Sequence, residues 1–214
     1  MSETSEPAFT VDADALDWAK GGGLLPAVVQ DSRSGHVLML GYMNRDALDA
    51  TLNTRQVTFW SRSRNTLWRK GETSGHVLAL VSLHADCDGD TLLVRAVPAG
   101  PTCHTGSRTC FADDPGPALA FLAALDATIE QRRGADPATS YTARLLREGV
   151  ARAAQKVGEE GVETALAGAG QDDAALTAEA ADLLYHLMVL LRARHLSLAH
   201  VARELAGRHG SRPA

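Results

Sequence analysis

The three cysteines of the chain, Cys87, Cys103 and Cys110, lie close together in the sequence and could bind one metal ion. Thiolates favour Zn²⁺, and three protein ligands leave the fourth position to a water molecule, as in catalytic zinc sites. Zinc lowers the pKa of such a water towards about 7. Spacing alone leaves a second interpretation open, in which the thiols are buried and inert. His104 favours the metal, because it is a candidate fourth ligand or general acid–base.

The segment Asp86–Asp90 carries a carboxylate at every second position. Three like charges so close together need cations or full solvation. The Asp88-Gly89 pair favours a tight hairpin turn. In an extended segment, the three aspartates would instead lie on one side and Cys87 on the other. Three carboxylates on one side are hard ligands that suit Mg²⁺. The candidate Mg²⁺ ligands are Asp86, Asp88 and Asp90.

Basic residues, hydroxyls and glycines alternate between Phe59 and His76. Guanidinium groups and backbone N–H groups bind phosphate, and a tryptophan can stack on a base. Taken alone, this segment fits an exposed basic hairpin with core tryptophans better than a phosphate site. The candidate substrate-binding residues are Trp60, Arg62, Ser63, Arg64, Lys70, Thr73, Ser74 and His76.

Acidic residues recur at helical spacing in the second half of the chain, so that they share helix faces. Glutamates on helices are usually solvated. The apolar residues around Glu179 and Asp182, however, predict a buried helix, in which carboxylates need compensating cations. Carboxylates converging from two helices would form a Mg²⁺ site that binds a polyphosphate, with Lys156 neutralising phosphate oxygens. The candidate ligands are Glu159, Glu160, Glu163, Glu179 and Asp182.

The elements that must position the first groups are short strands, because apolar runs alternate with turn signals over residues 24–111. One helix is expected after Asn44, which is a good N-cap, and runs through Leu48 and Leu52. The predicted strands are Ala27–Gln30, Val37–Leu40, Val57–Ser61, Val77–Leu83 and Thr91–Val97.

The second half shows helical periodicity, which begins after a linker-like stretch, Ala112–Pro117. The sequence therefore predicts two domains, a β-rich α+β domain over residues 1–114 and an all-α domain over residues 115–214. The first seven to 20 residues could be disordered. The predicted helices are Leu119–Ile129, a helix capped by Thr139 or Ser140 that continues to Val150, a helix carrying the glutamates near Lys156, Ala178–Leu191, and Leu196–Leu205.

Composition excludes several classes of protein. The net charge of −5 and pI of about 5.9 argue against a general binder of nucleic acid or anionic membranes. Residues 1–18 are acidic and lack the apolar region of a secretory signal. An odd number of cysteines without such a signal predicts a reducing cytoplasm. The apolar run Leu187–Leu191 is too short to span a bilayer, so no membrane partner is expected.

The first half resembles the phosphoribosyl-AMP cyclohydrolase family over roughly Leu24–Phe111. The motifs that carry the resemblance are Gln30–Asn44, Phe59–His76, Asp86–Asp90, Gly100–Gly106 and Cys110-Phe111. The resemblance implies hydrolytic opening of the adenine six-membered ring of phosphoribosyl-AMP, with zinc-activated water attacking C6 and His104 moving protons. It implies Zn²⁺ on the three cysteines, Mg²⁺ on the three aspartates, and a homodimer whose zinc ligands come from both subunits.

The second half is similar to the all-α nucleoside triphosphate pyrophosphohydrolases, and among them to phosphoribosyl-ATP pyrophosphohydrolase, over about Pro117–Arg208. Gly161 and Thr164 depart from the expected Ala and Val. The resemblance implies hydrolysis of phosphoribosyl-ATP to phosphoribosyl-AMP and pyrophosphate, with Mg²⁺ on the five carboxylates. The motifs that carry it are Ser140–Leu146, Gln155–Thr164 and Glu179–Leu191.

The two resemblances support each other, because the product of the second half is the substrate of the first. Together they predict a bifunctional hydrolase for the second and third steps of histidine biosynthesis. The alternative is a general nucleotide pyrophosphohydrolase with a structural zinc-binding dimerisation domain. The phosphate-binding chemistry of Arg62–His76 argues against it. A non-enzymatic zinc module would need a closed four-ligand site, and a zinc deaminase would need H-x-E and P-C-x-x-C motifs, which are absent.

Overall fold

The computed structural model describes residues 11–111, 114, 116–117 and 119–210. The chain divides into two compact units, Met1–Phe121 and Leu122–Ala214. This layout confirms the predicted order of a β-rich domain and a helical domain. The predicted boundary between residues 114 and 115 stays a prediction, and Ala112, Asp113 and Pro115 of the proposed linker lie outside the described residues.

The described part of the first unit contains a four-stranded sheet, a separate two-stranded hairpin and one helix. The sheet has the order β2-β1-β6-β5, with β1 parallel to β6 and the other neighbours antiparallel, and β3 pairs with β4. The elements are β1 (Leu25–Asp31), β2 (Val37–Met43), α1 (Arg45–Thr54), β3 (Thr58–Ser61), β4 (Thr66–Arg69), β5 (Leu78–Ala85) and β6 (Leu92–Pro98).

The core of this unit lies on one face of the sheet, because alternate residues of a strand point to the same side. In β1 the buried residues Leu25, Ala27 and Val29 follow this period, and in β6 Leu92 and Val94 do the same. The five predicted strands are thus confirmed with small shifts at their ends. Strand β4 was not predicted, since its sequence has no buried apolar face.

Helix α1 begins where its N-cap was predicted. The side chain of Asn44 accepts a hydrogen bond from the backbone N of Ala47 at 2.9 Å. At the other end of the helix, Thr51 donates its hydroxyl to the carbonyl of Ala47 and accepts from the backbone N of Thr58 at 2.9 Å. These bonds tie the helix to the start of β3 and so fix the hairpin β3–β4.

The second unit is helical throughout its described residues, apart from turns. Its core contains Ile129, Leu145, Ala153, Met188 and Val189. After α2 a short 3₁₀ helix, Arg132–Gly134, precedes the turn to α3. The helices are α2 (Ala120–Gln131), α3 (Tyr141–Glu148), α4 (Val150–Gly170), α5 (Asp173–Ala193) and α6 (Leu198–Gly210).

Two predicted helix boundaries in this unit are wrong. Val150 belongs to α4, because Gly149 adopts φ 91° and ψ −175° and ends α3 before it. Helix α5 begins at Asp173, five residues before the expected Ala178, because Asp172 caps it by accepting from Ala175 N at 2.9 Å. Helix α5 is also long and apolar enough to cross a membrane by length and composition, a test that core helices of soluble proteins pass as well.

Candidate active sites

The carboxylates of the β5–β6 connection converge through a turn. Asp86 accepts hydrogen bonds from the backbone N of Asp90 at 3.0 Å and of Thr91 at 3.1 Å. Gly89 has φ 73°, a conformation that favours glycine. The extended segment considered above is therefore wrong, and the hairpin turn is right. The turn nevertheless brings one oxygen each of Asp86, Asp88 and Asp90 within 4.8 Å of one another, so they could hold a metal ion.

Lys20 lies at this carboxylate group, and no pattern in the sequence indicated this contact. Its Nζ is 2.7 Å from Asp88 Oδ2 and also forms an ion pair with Asp90. A hydrogen bond from Lys20 lowers the pKa of Asp90 below its usual range. The segment that carries Lys20 is held on the turn by a bond from Asp17 N to the carbonyl of Gly89 at 2.9 Å.

A cavity of about 430 Å³ gathers several candidate residues of the first unit. It combines the end of the basic segment with the thiols of Cys103 and Cys110 and with the ring of His104. Of the candidate substrate-binding residues, Lys70, Thr73, Ser74 and His76 line it. The further lining residues are Met39, Trp68, Gly71, Glu72, Pro101, Thr102 and Gly106.

Glycines fix the shape of this cavity. A Cβ on Gly71 would lie 2.4 Å from the carbonyl carbon of His76, and one on Gly100 would lie 2.6 Å from the His76 ring. On the other side, Gly41 lets the ring of Phe59 pack directly on β2, and Phe59 contacts Trp68 with ring centroids 5.7 Å apart. Only glycine allows such close approaches, and these contacts hold His76 and Trp68 in the cavity wall.

Two polar groups in the cavity wall point to a ligand. Thr102 is 2% exposed, and its hydroxyl has no hydrogen-bond partner among the described residues. Lys70 is 8% exposed and lines the cavity, where its ammonium group can bind an anionic group. Buried polar groups are nearly always hydrogen-bonded, so an unpartnered hydroxyl facing a cavity indicates a missing partner. Sequence reasoning did not select Thr102.

The thiols of Cys103 and Cys110 contact each other and are chemically unequal. The pKa of Cys103 is lowered, mainly because the hydroxyl of Thr105 donates to its sulfur at 3.1 Å. Burial, and then the nearby charge of Cys103, raise the pKa of Cys110. Cys87 and Cys110 are exposed, and none of the three cysteines belongs to either of the two groups of three potential metal ligands found among the described residues.

The remaining candidates of the basic segment lie in the β3–β4 hairpin and do not line the cavity. Arg62, Ser63 and Arg64 are exposed and Trp60 is partly buried. The guanidinium of Arg62 lies 3.8 Å from the centroid of the Tyr42 ring. Their predicted roles in substrate binding stay predictions.

The helical unit contains the second group of potential metal ligands. One oxygen each of Glu160, Glu179 and Asp182 lies within 4.8 Å of the others. The expected burial is reversed: Asp182 is exposed and Glu179 partly so, whereas Glu160 on α4 is buried. Apolar composition predicted a buried α5 near Asp182, but the apolar contacts of α5 in the core come from its later turns, around Met188.

The carboxylates in and around this group differ in whether a positive charge or a negative charge dominates their surroundings. Lys156 Nζ is 2.6 Å from Glu160 Oε1 and 2.9 Å from Glu159 Oε2, and its hydrogen bond lowers the pKa of Glu160. Repulsion from Glu160 raises the pKa of Glu163, with burial and Glu179 adding to it. Crowded carboxylates with a raised pKa are what a bound cation would relieve. Glu159 instead accepts hydrogen bonds from Lys156 Nζ at 2.9 Å and from Gln155 Nε2 at 2.8 Å.

Sequence reasoning also missed His186, which is buried beside this group. Its Nδ1 is 2.9 Å from the carbonyl oxygen of Asp182 and 3.5 Å from Glu160 Oε1. Its Nε2 is 3.0 Å from the hydroxyl of Tyr141 on α3. A histidine in an apolar stretch such as Tyr185–Leu191 carries no distinguishing pattern in the sequence.

A sheet-rich unit with a thiol-lined cavity and a helical unit with converging carboxylates together make a two-unit protein with groups able to hold metal ions. The family model described as phosphoribosyl-AMP cyclohydrolase matches residues 39–112, and that described as phosphoribosyl-ATP pyrophosphohydrolase matches residues 122–209. The chain belongs to these two families, joined in this order.

Similar proteins carry both units. The chain is 60% identical to the histidine biosynthesis bifunctional protein HisIE of Xylella fastidiosa strain Temecula1, over 96% of this chain and 98% of the relative. It is 56% identical to the proteins of the same name from Photobacterium profundum and Salmonella typhimurium, over 91% of this chain and 96% and 95% of the relatives. The prediction of a bifunctional hydrolase of histidine biosynthesis with small-molecule substrates is thereby confirmed.

Proposed function

We propose that each unit carries out the reaction of its family with the residues that it gathers. The helical unit hydrolyses phosphoribosyl-ATP to phosphoribosyl-AMP and pyrophosphate, and the sheet-rich unit then opens the adenine ring of phosphoribosyl-AMP. The observation that supports this is that each unit separately brings together candidate residues that are far apart in the sequence.

In the sheet-rich unit, Cys103 and Cys110 fit Zn²⁺, because two soft thiols are in contact and the lowered pKa of Cys103 favours a thiolate. Zinc at this position supplies a water of lowered pKa. His104 is exposed next to Cys103 and moves the proton to or from the reacting ring. Lys70 and the hydroxyl of Thr102 bind the substrate in the cavity.

The zinc ligand set is completed by a second subunit. Within one chain Cys87 lies in no group with the other two cysteines among the described residues. A homodimer in which Cys87 of one subunit joins Cys103 and Cys110 of the other supplies three thiolates and leaves one position for water. The free thiols also fit a reducing cytoplasm.

Hard oxygen ligands in both units fit Mg²⁺. In the sheet-rich unit these are Asp86, Asp88 and Asp90, which lie within 4.8 Å of one another. In the helical unit, Glu160, Glu179 and Asp182 form the ligand group, with Glu163 and Glu159 as its neighbours. Lys156, already beside Glu160, neutralises a phosphate oxygen of the bound substrate.

The test supplies phosphoribosyl-ATP to the purified protein and follows pyrophosphate release and ring opening together. Glu163→Gln removes one charge from the carboxylate group. It should slow pyrophosphate release by about 100-fold, or about 2.7 kcal/mol, with little effect on ring opening when phosphoribosyl-AMP is supplied directly. Cys103→Ser should release pyrophosphate, accumulate phosphoribosyl-AMP and lose zinc by elemental analysis.

Glu204→Gln is the matched control, because Glu204 is an exposed glutamate on α6 that pairs with Arg208 at 2.9 Å, away from the carboxylate group. It should leave both activities unchanged. If wild-type protein releases pyrophosphate but never opens the ring, the alternative with a structural zinc-binding domain is correct. If Glu163→Gln abolishes both activities in folded protein, the proposal of independent sites is wrong.

A further inference from the structure

A chain of polar contacts in the helical unit joins three helices next to the carboxylate group. It begins at Tyr141 on α3, passes through the ring of His186 on α5 and ends at Glu160 on α4. The side chains of His186 and Glu160 are each 7% exposed. Interactions between buried polar groups are strong because the local dielectric constant is low, and they stabilise one arrangement of the helices that carry them.

Hydrogen-bond chemistry determines which ring nitrogen of His186 carries the proton. The Nδ1 atom lies 2.9 Å from the carbonyl oxygen of Asp182. A carbonyl only accepts hydrogen bonds, so Nδ1 must donate. In the neutral ring Nε2 is then an acceptor, and the hydroxyl of Tyr141 donates to it. The carbonyl of Asp182 thus selects this tautomer, and the hydroxyl of Tyr141, which can donate or accept, bonds the other ring nitrogen and holds the ring in place.

Both donors near Glu160 approach the same carboxylate oxygen. Lys156 Nζ lies 2.6 Å from Oε1, and His186 Nδ1 lies 3.5 Å from it. The carbonyl that His186 bonds belongs to Asp182, whose side chain is in the same ligand group. The Nδ1 atom of the imidazole therefore hydrogen-bonds the backbone of one member of the group and lies 3.5 Å from a carboxylate oxygen of another member, on a second helix.

We propose that His186 is a positioning residue for this metal group: its Nδ1–H bonds the backbone of Asp182, its ring lies against the carboxylate of Glu160, and Tyr141 fixes the orientation of the ring. The inference rests on the proposed function of the helical unit. Side chains that hold metal ligands by hydrogen bonds set the affinity of the metal, and their loss costs about tenfold to 100-fold. Neither Tyr141 nor His186 touches the reacting atoms.

Two pairs of variants separate this role from simple packing. Tyr141→Phe removes the hydroxyl that bonds His186. Tyr185→Phe is its control, because the Tyr185 hydroxyl bonds Thr142 at 2.8 Å while its ring also contacts His186, with centroids 5.0 Å apart. His186→Asn places an amide N–H near the position of Nδ1, whereas His186→Gln places it near Nε2.

The experiment measures Mn²⁺ affinity of the full-length protein in an Asp86→Asn, Asp88→Asn background, which removes the carboxylate group of the other unit. His186→Gln should weaken Mn²⁺ binding by about tenfold or more, and His186→Asn should restore much of that loss. Tyr141→Phe should weaken binding while Tyr185→Phe binds as the background does. Thermal unfolding is recorded for every variant.

Each outcome supports or overturns the inference. Equal Mn²⁺ affinity for Tyr141→Phe and Tyr185→Phe overturns it, even if His186→Gln fails to fold. Lower unfolding temperatures with unchanged Mn²⁺ affinity overturn it too, since they indicate packing alone. Failure of the proposed function is distinguishable, because wild-type protein would then release no pyrophosphate from phosphoribosyl-ATP, whatever the variants bind.

Discussion

The ammonium group of Lys20 lies between two carboxylates that are candidate Mg²⁺ ligands. An ammonium and a divalent cation compete for the same oxygens of Asp88 and Asp90, because both neutralise the same charge. The Lys20 side chain is 53% exposed, so water and salt screen the competition. We therefore expect this residue to lower the affinity of the turn for a cation without being a ligand itself.

We expect Lys20→Gln to lower the Mg²⁺ concentration that gives half-maximal ring opening, with phosphoribosyl-AMP supplied directly. The reason is that one competing positive charge is removed while the three carboxylates stay. The shift should be severalfold at low ionic strength and smaller at high salt, because the charges are exposed. The measurement is a Mg²⁺ titration of the ring-opening rate at two salt concentrations.

Arg45→Gln is the control for this prediction. Arg45 pairs with the exposed Asp14 at 2.7 Å and makes no ion pair with the turn. The same shift in both variants would mean that general surface charge, and not the position of Lys20, sets the affinity.

At the scale of secondary-structure elements, two glycines of the helical unit are expected to affect its stability in opposite directions. Gly149 separates α3 from α4 with φ 91°, a conformation that side chains rarely adopt. Gly161 lies inside α4, and a Cβ there would meet only Leu183 Cδ1, at 4.0 Å. It is one of the two positions at which the family resemblance led us to expect another residue. The other, Thr164, donates its hydroxyl to the carbonyl of Glu160 at 2.7 Å.

The same substitution at these two glycines should change stability in opposite directions. Gly149→Ala should destabilise the helical unit by about 1–3 kcal/mol, because alanine is strained at this φ although no atom blocks its Cβ. Gly161→Ala should stabilise it by about 1 kcal/mol, because alanine is the better helix former. Urea unfolding followed by far-UV circular dichroism measures both. A loss of stability in Gly161→Ala would contradict the open space seen beside it.

Local patterns predicted most elements of the fold, because they depend on residues close in sequence. The alternation in β1 and the N-cap Asn44 are of this kind, and both are confirmed. Strand β4 was missed because its stability comes from pairing with β3 and not from a buried face.

Candidate residues were found where the residue type is distinctive, as for the cysteines and the aspartates. Lys20, Thr102 and His186 were missed for another reason. Their surroundings depend on contacts across the chain, such as that between Lys20 and Asp88, which are 68 positions apart in the sequence. No local pattern records such a contact, and the burial of Glu160 in place of Asp182 was mispredicted for the same reason.

At the scale of the whole molecule, the two families specify consecutive reactions in one chain. Phosphoribosyl-AMP leaves the helical unit as a product and enters the sheet-rich unit as a substrate. The order of the units in the chain is the reverse of the order of the reactions. Each unit holds its own group of potential ligands, so the two chemistries should be separable by single substitutions.

The proposed homodimer predicts that two variants without ring-opening activity regain it when they form a mixed dimer. Cys87→Ser and Cys103→Ser chains should each lack ring opening when prepared alone, since every zinc site then lacks one thiolate. After co-refolding, a mixed dimer contains one site with Cys87 from one chain and both Cys103 and Cys110 from the other. Random mixing makes half of the dimers mixed, with one intact site of two, so about a quarter of wild-type activity and zinc should return.

Co-refolding Cys103→Ser with Cys110→Ser chains is the matched control for this experiment. These two cysteines are in contact within one chain, so each ligand set takes both from the same subunit and no mixed dimer contains an intact set. Pyrophosphate release should be unchanged in every mixture, which checks that the chains have refolded. Recovery of ring opening in the control mixture, or none in the Cys87 mixture despite demonstrated subunit exchange, would contradict ligand sharing. A zinc site built within one chain would then require Cys87 to move next to Cys103 and Cys110.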